Sequence, residues 1–188
     1  IEAIEKSPYR AQNTKNRHGI VHAQITNQRI LDKMAQNDIM AYIQPVFVGY
    51  DMDIAQERIG AHRMPKIYAW KSMLDMGIHA CGGSDAPVES FSIMENIYHA
   101  VTRKKLNGYP ENGRIPSEKM SVDEAVKLFT KYAAYASYTE NENGTIEAGK
   151  NADFVVTEKD IYTINPDYIK DTKIDMTIIN GNVVYSRI

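Results

Sequence analysis

Apolar and polar positions follow two different periods along the first half of the chain. Short runs of apolar and β-branched residues are typical of buried parallel strands, whereas longer segments place apolar residues on one helical face. The strand-like segments are 19–25, 39–48 and 78–85, and the helical segments are 26–38, 66–76 and 90–106. Strand and helix therefore alternate three times, which predicts an α/β architecture with a parallel sheet and right-handed crossovers. We expect Pro45 to end the regular pairing of the second strand.

The pattern changes in the second half of the chain. Ser121 and Glu124 form an S-x-x-E capping box, which predicts a helix over 121–137. Further on, Asn180 and Gly181 stand between two β-rich runs, a pattern typical of a type I′ hairpin. No helical segment separates these late strands, so we expect them to form a small β unit apart from the parallel sheet.

Composition narrows the class of protein. The chain has 188 residues, 43% of them hydrophobic and 24% charged, with a formal net charge of −2, which is typical of a soluble globular protein. We expect no nucleic-acid partner and no membrane partner, because the charge is nearly balanced and no apolar run approaches the ~20 residues of a span. The basic cluster at 103–105 is interpreted as a solvated helix face. Cys81 is the only cysteine, which excludes an internal disulfide and favours a reducing, cytoplasmic location.

Polar residues stand within or just beyond each of the three strand segments: His22, Gln44 and Asp85. In a barrel of such units the carboxyl ends of the strands converge on one face, and His and Asp are good ligands for zinc-like metals. Gly82 and Gly83, which shortly precede Asp85, would let the backbone come close to a metal or a substrate. A tight turn would need glycines too. A lone strand histidine is also often a core residue, and a strand-end aspartate often caps a turn, so both readings stay open here.

Several stretches together resemble one family. They are RHGIVHAQ (17–24), IQP (43–45), ERIGAHR (57–63), YAWKSMLDMGIHACGGSDAPV (68–88), MSVDEAVKLFTKYAAYAS (120–137), GTIEAGKNADFVV (144–156) and TIINGNVVY (177–185). In this order and spacing they resemble the C-terminal half of metal-dependent amidohydrolases, in the branch that includes N-substituted formamide deformylases. The GSDAPV strand end and the segment from Gly144 to Val156 are the most specific parts of the resemblance.

The resemblance implies a (β/α)8 TIM-type barrel, with residues 1–140 as its C-terminal part (about strands 6–8 with their helices) and residues 141–188 as strands of a small composite β-sandwich. It also implies one or two divalent metals, with zinc expected, at the carboxyl face of the barrel. His22 matches the family's metal-binding histidine on the sixth strand. Asp85 matches the aspartate after the eighth strand, which contacts metal and moves protons. Gln44 and Arg63 match positions that line the substrate side.

The function implied is hydrolysis of amide-like, non-peptide C–N bonds in a small molecule, by metal-activated water with Asp85 as the proton shuttle. The family's H-x-H pair on strand one, its bridging residue on strand four and its histidine on strand five have no counterpart here. A barrel of this kind needs ~250 residues, so we expect the chain to be an incomplete portion, inactive alone. A second reading is a non-catalytic binding or structural module whose sheet edges are covered by a partner chain or, as a homo-oligomer, by another copy. A third keeps the barrel and changes the bond attacked to a cyclic amide or an ester.

Overall fold

The computed structural model describes residues 1–8 and 16–188, and their strands form two separate sheets. The first sheet is parallel, in the order β1-β2-β3, and the second is antiparallel, in the order β4-β5-β6. The strands are β1 (Gly19–Val21), β2 (Met40–Ile43), β3 (Ala80–Gly82), β4 (Phe154–Thr157), β5 (Ile174–Ile179) and β6 (Asn182–Ser186). The α-helices are α1 (Glu2–Glu5), α2 (Gln28–Gln36), α3 (Met52–Ile59), α4 (Trp70–Asp75), α5 (Ile93–Thr102), α6 (Val122–Phe129) and α7 (Lys131–Ala136).

The parallel sheet confirms the predicted alternation, although its strands are shorter than the apolar runs. β1 ends at Val21 because His22 and Ala23 have φ values of 67° and 45°, outside the extended region. β2 ends at Ile43, and Pro45, which has no N–H for the ladder, begins a 3-10 helix from Pro45 to Gly49. The polar strand-end residues therefore lie in the loops that leave the sheet.

Helix caps explain where the connecting helices begin and end. The Asn27 side chain accepts from the Ile30 N–H at the start of α2, and the capping box of Ser121 and Glu124 is formed at the start of α6. The helix predicted over 121–137 is divided, because Thr130 leaves helical geometry with φ −125° and ψ −94° between α6 and α7.

The core lies between the parallel sheet and the helices that cross over it. β2 is the central strand, and its Ala41 and Ile43 are fully buried. The helices contribute apolar side chains on the faces that their periodicity predicted, and each such burial stabilises the fold by about 1.5–3 kcal/mol. These side chains include Leu31 and Met34 of α2, Trp70 and Met73 of α4, and Ile97 and Tyr98 of α5.

One charged residue of the core contradicts the reading of the basic cluster as a solvated face. Arg103, at the C-cap of α5, is only 1% exposed. Its guanidinium donates to the carbonyl oxygens of Tyr68 and Arg114, both at 3.1 Å, and lies 5.9 Å from the centre of the Trp70 ring. These acceptors come from distant parts of the chain, so the helix pattern alone does not reveal them. Burial lowers the pKa of Arg103 to about 10.

The antiparallel sheet has the predicted hairpin. Asn180 and Gly181, between β5 and β6, have φ values of 50° and 76°, the two positive values that a type I′ turn requires. Many of its apolar side chains, such as Val155, Val183 and Val184, are more than half exposed. Within residues 1–8 and 16–188, no helix has the length and apolar character needed to cross a bilayer.

Candidate metal centre

His22, Gln44 and Asp85 lie at the same edge of the parallel sheet, as predicted. His22 directly follows β1, Gln44 directly follows β2, and Asp85 lies three residues beyond β3. The ladder continues to this edge, since the His22 N–H donates to the Tyr42 carbonyl at 2.7 Å. β1 and β3 flank β2, so their backbones stand about 10 Å apart, twice the spacing of neighbouring strands.

The His22 ring is held on two sides. Its Nδ1 lies 2.8 Å from the Oε1 of Gln44, and its ring centre lies 5.9 Å from that of Phe47. An amide oxygen can only accept a hydrogen bond, so Nδ1 is the nitrogen that carries the proton in this contact. In the neutral ring the lone pair then stands on Nε2, the nitrogen that can bind a metal.

Asp85 is placed in a tight turn with its carboxylate exposed. Its φ is 60°, its carbonyl accepts from the Val88 N–H at 2.8 Å, and the Ser84 hydroxyl accepts from the Ala86 N–H at 3.3 Å. In the part of the chain that the structure describes, the carboxylate itself makes no hydrogen bond or ion pair. The turn is therefore closed by backbone and by Ser84, which leaves the carboxylate available for other chemistry.

Both predicted metal ligands adopt left-handed backbone conformations, with φ 67° at His22 and 60° at Asp85. This conformation costs a non-glycine residue about 1–2 kcal/mol. Left-handed non-glycine residues cluster at functional sites. The two at this edge of the sheet therefore support the interpretation of the edge as a functional site.

The expectation that Gly82 opens space for a metal is wrong. A Cβ on Gly82 would lie 2.6 Å from Cε1 and Cζ of the Phe129 ring, so this glycine makes room for a side chain of α6. A Cβ on Gly83 would meet only the Gln44 Nε2, at 4.0 Å, and Gly83 therefore borders the candidate site. The two glycines thus serve different neighbours, one in the core and one at the edge of the sheet.

Arg63 is not brought into this group. It lies in the 3-10 helix Ala61–Lys66, within the crossover from β2 to β3, and its side chain is exposed. Across the described ranges its guanidinium makes no hydrogen bond or ion pair. Its role on the substrate side stays a prediction.

A polar network lies beside the site and was not predicted from the sequence. The Asp51 Oδ2 accepts from the Tyr68 hydroxyl at 3.0 Å and from the Gln24 amide at 3.3 Å. Tyr68 is buried, and burial together with the charge of Asp51 raises its pKa. Burial, Asp51 and Glu95 likewise raise the pKa of the Glu89 carboxyl. The only sequence signal was the position of Gln24, two residues after His22.

The donor set fits part of a zinc-type centre. A neutral imidazole nitrogen and a carboxylate are both zinc ligands, and catalytic zinc generally has three protein ligands. Within the described residues, no group of three or more His, Cys, Asp or Glu side chains could hold a metal ion. His22 and Asp85 therefore need ligands from outside this set.

Comparison with known proteins agrees with this architecture. The model of the amidohydrolase family matches residues 1–185, and the chain belongs to this family. YtcJ of Bacillus subtilis (strain 168) is 36% identical over 190 residues, covering 100% of this chain and 35% of YtcJ. The N-substituted formamide deformylase of Arthrobacter pascens is 32% identical over 122 residues, covering 65% of this chain and 22% of the enzyme. The resemblance to the amidohydrolase family is confirmed, and the chain spans about a third or less of the length of these relatives.

A solved structure shares the fold at low sequence identity. An uncharacterized metal-dependent hydrolase from Pyrococcus horikoshii OT3 superposes with a TM-score of 0.71 at 19% identity, over 82% of this chain and 31% of that chain. Most of this chain therefore shares its fold with part of a larger protein.

Proposed function

We propose that this chain is the C-terminal portion of a metal-dependent hydrolase that cleaves amide-like, non-peptide C–N bonds in small molecules. In this proposal the three parallel strands are the last part of a (β/α)8 barrel, and β4–β6 belong to a composite β-sandwich. The observation that carries it is the placement of His22 and Asp85 at one carboxyl edge, with the ring of His22 held so that Nε2 is the free nitrogen.

The proposed division of labour follows from the two side chains. When bound, a divalent metal such as zinc supplies Lewis acidity toward the attacking water and the amide carbonyl. His22 would hold that metal through Nε2. Asp85, whose carboxylate is exposed, would take a proton from the attacking water and deliver it to the nitrogen of the leaving amine.

The incomplete ligand set supports the proposal that the catalytic centre is shared with further chain. His22 and Asp85 supply two ligands where three are usual, and the matched relatives are about three times longer or more. We infer that the remaining ligands precede this segment in the whole protein. We expect the isolated chain to be inactive for this reason.

The substrate class is proposed from the relatives together with the site. The deformylase of Arthrobacter pascens is named for N-substituted formamides, and we propose a compound of this kind as the first substrate to test. Cyclic amides and esters are the next classes, because the same attack on a carbonyl carbon applies to them. Arg63 would contact substrate only if its crossover segment lies over the site in the whole protein.

The test is the variant Asp85→Asn in the intact protein, loaded with zinc and assayed on N-substituted formamides, cyclic amides and esters. We expect the fold to persist while turnover falls by at least about 10²-fold, the usual scale for a lost acid–base group. Asp38→Asn is the matched control, because Asp38 is also exposed and left-handed (φ 53°) but precedes β2 at the opposite edge. Near-normal turnover in Asp85→Asn would remove Asp85 from the mechanism, and a wild-type protein inactive on all three classes would contradict the hydrolase proposal.

A further inference from the structure

We infer that Gln44 is a positioning residue, which fixes the tautomer and orientation of the His22 ring for metal binding. The 2.8 Å contact joins the Gln44 Oε1 to the His22 Nδ1. Because that oxygen can only accept, it selects the form of the ring with the proton on Nδ1 and the lone pair on Nε2. Partners of this kind behind a ligating histidine typically change metal affinity by about 10–100-fold when they are removed.

The backbone around Gln44 gives this side chain little freedom. The residue is 6% exposed and directly precedes Pro45, which restricts it to extended conformations, here φ −125° and ψ 91°. Its carbonyl accepts from the Phe47 N–H at 3.1 Å, which begins the 3-10 helix after β2. The amide is therefore delivered from a rigid strand end, as a ring-orienting group requires.

The ring of His22 is equally constrained on the other side. Its backbone N–H donates to the carbonyl of Tyr42 in β2, the strand that Gln44 directly follows, so the two backbones are joined beside the side-chain contact. Phe47, three residues beyond Gln44, packs against the ring. One short segment of chain thus supplies the hydrogen-bond acceptor and the apolar wall that set the direction of Nε2.

This assignment changes what Gln44 can do for a substrate. Its Oε1 is occupied by His22, so only its Nε2 remains as a hydrogen-bond donor. That nitrogen faces the open side of Gly83, whose missing side chain leaves the amide uncrowded. Through this nitrogen, Gln44 would donate to a substrate acceptor such as a carbonyl oxygen.

The test measures the His22 ring in the metal-free intact protein, labelled with 15N in its histidine side chains. Long-range 1H–15N spectra report which ring nitrogen carries the proton, and His22→Asn identifies the signals of this ring. We expect the wild-type ring to be protonated on Nδ1, and the Gln44→Leu ring to lose this single form. Gln44→Glu keeps an acceptor oxygen and should keep a proton on Nδ1, while Gln24→Leu is the control for a nearby glutamine whose amide donates to Asp51.

The consequence for metal binding rests on the proposed function, and a second readout separates the two. Zinc affinity, measured by chelator competition, should fall about 10–100-fold in Gln44→Leu and stay near the wild-type value in Gln24→Leu. A wild-type ring protonated on Nε2, or a Gln44→Leu ring with unchanged signals, would overturn the positioning role. The expected tautomer in a protein that binds no zinc would instead leave the positioning role standing and contradict the proposed metal centre.

Discussion

The packing of Phe129 against Gly82 predicts opposite outcomes for alanine at two neighbouring glycines. In Gly82→Ala the new Cβ would stand 2.6 Å from two atoms of the Phe129 ring, about 1 Å inside ordinary carbon–carbon contact. Overpacking of this kind costs about 1–3 kcal/mol. In Gly83→Ala the only neighbour within 4 Å among the described residues is the Gln44 Nε2 at 4.0 Å, and we expect little change in stability.

The assay is unfolding by urea and by heat, followed by circular dichroism. For a unit of this size each kcal/mol lowers the midpoint temperature by about 2–4 °C, so Gly82→Ala should melt several degrees below Gly83→Ala. Adding Phe129→Leu to Gly82→Ala should relieve the clash, so that the two changes together cost at least about 0.5 kcal/mol less than their sum. Equal losses at the two glycines, or an additive double variant, would refute the contact as the reason for glycine at position 82.

Three further predictions concern caps and buried or paired charges. Ser121→Ala should cost about 1 kcal/mol in denaturant unfolding, because it removes one half of a formed capping box, and an unchanged midpoint would contradict this. Burial lowers the pKa of His99 to about 4 in the folded protein. The stability that the neutral ring contributes is complete above the pKa of the unfolded chain and is lost as the pH falls toward 4. In His99→Gln, the free energy of unfolding should depend less on pH in that window. Hydrogen bonding to Arg17 lowers the pKa of Glu140 to about 2. The stability that this carboxylate contributes is present above the pKa of the unfolded chain and is lost as the pH falls toward 2. Glu140→Gln should remove that acid sensitivity and Glu142→Gln should not.

Local signals in the sequence predicted much of the fold. The capping box at Ser121, the hairpin at Asn180 and Gly181, and the end of pairing at Pro45 all depend on residues within a few positions of each other. The break at Thr130 was missed because the apolar pattern continues through it, and what fixes it is distant in sequence. A Cβ on Gly144 would lie 3.0 Å from the Thr130 carbonyl oxygen, so a later loop packs against this point.

The candidate site was predictable in its residues and less so in their contacts. His22, Gln44 and Asp85 were placed at one edge because parallel strands bring their carboxyl ends together. The bond from Gln44 to His22 depends on side-chain geometry across two strands, and the Tyr68 bond to Asp51 depends on a long crossover. No periodicity encodes such contacts, because they arise only when the chain is folded.

The measurement that tests the central claim most directly is the metal content of the intact protein, by plasma mass spectrometry after zinc loading and dialysis. We expect near-stoichiometric retained metal in the wild type and in Asp38→Ala. We expect loss of metal in both His22→Ala and Asp85→Ala. Variants at His22 and Asp85 that retain metal as the wild type does would contradict the assignment of these two side chains to a metal centre.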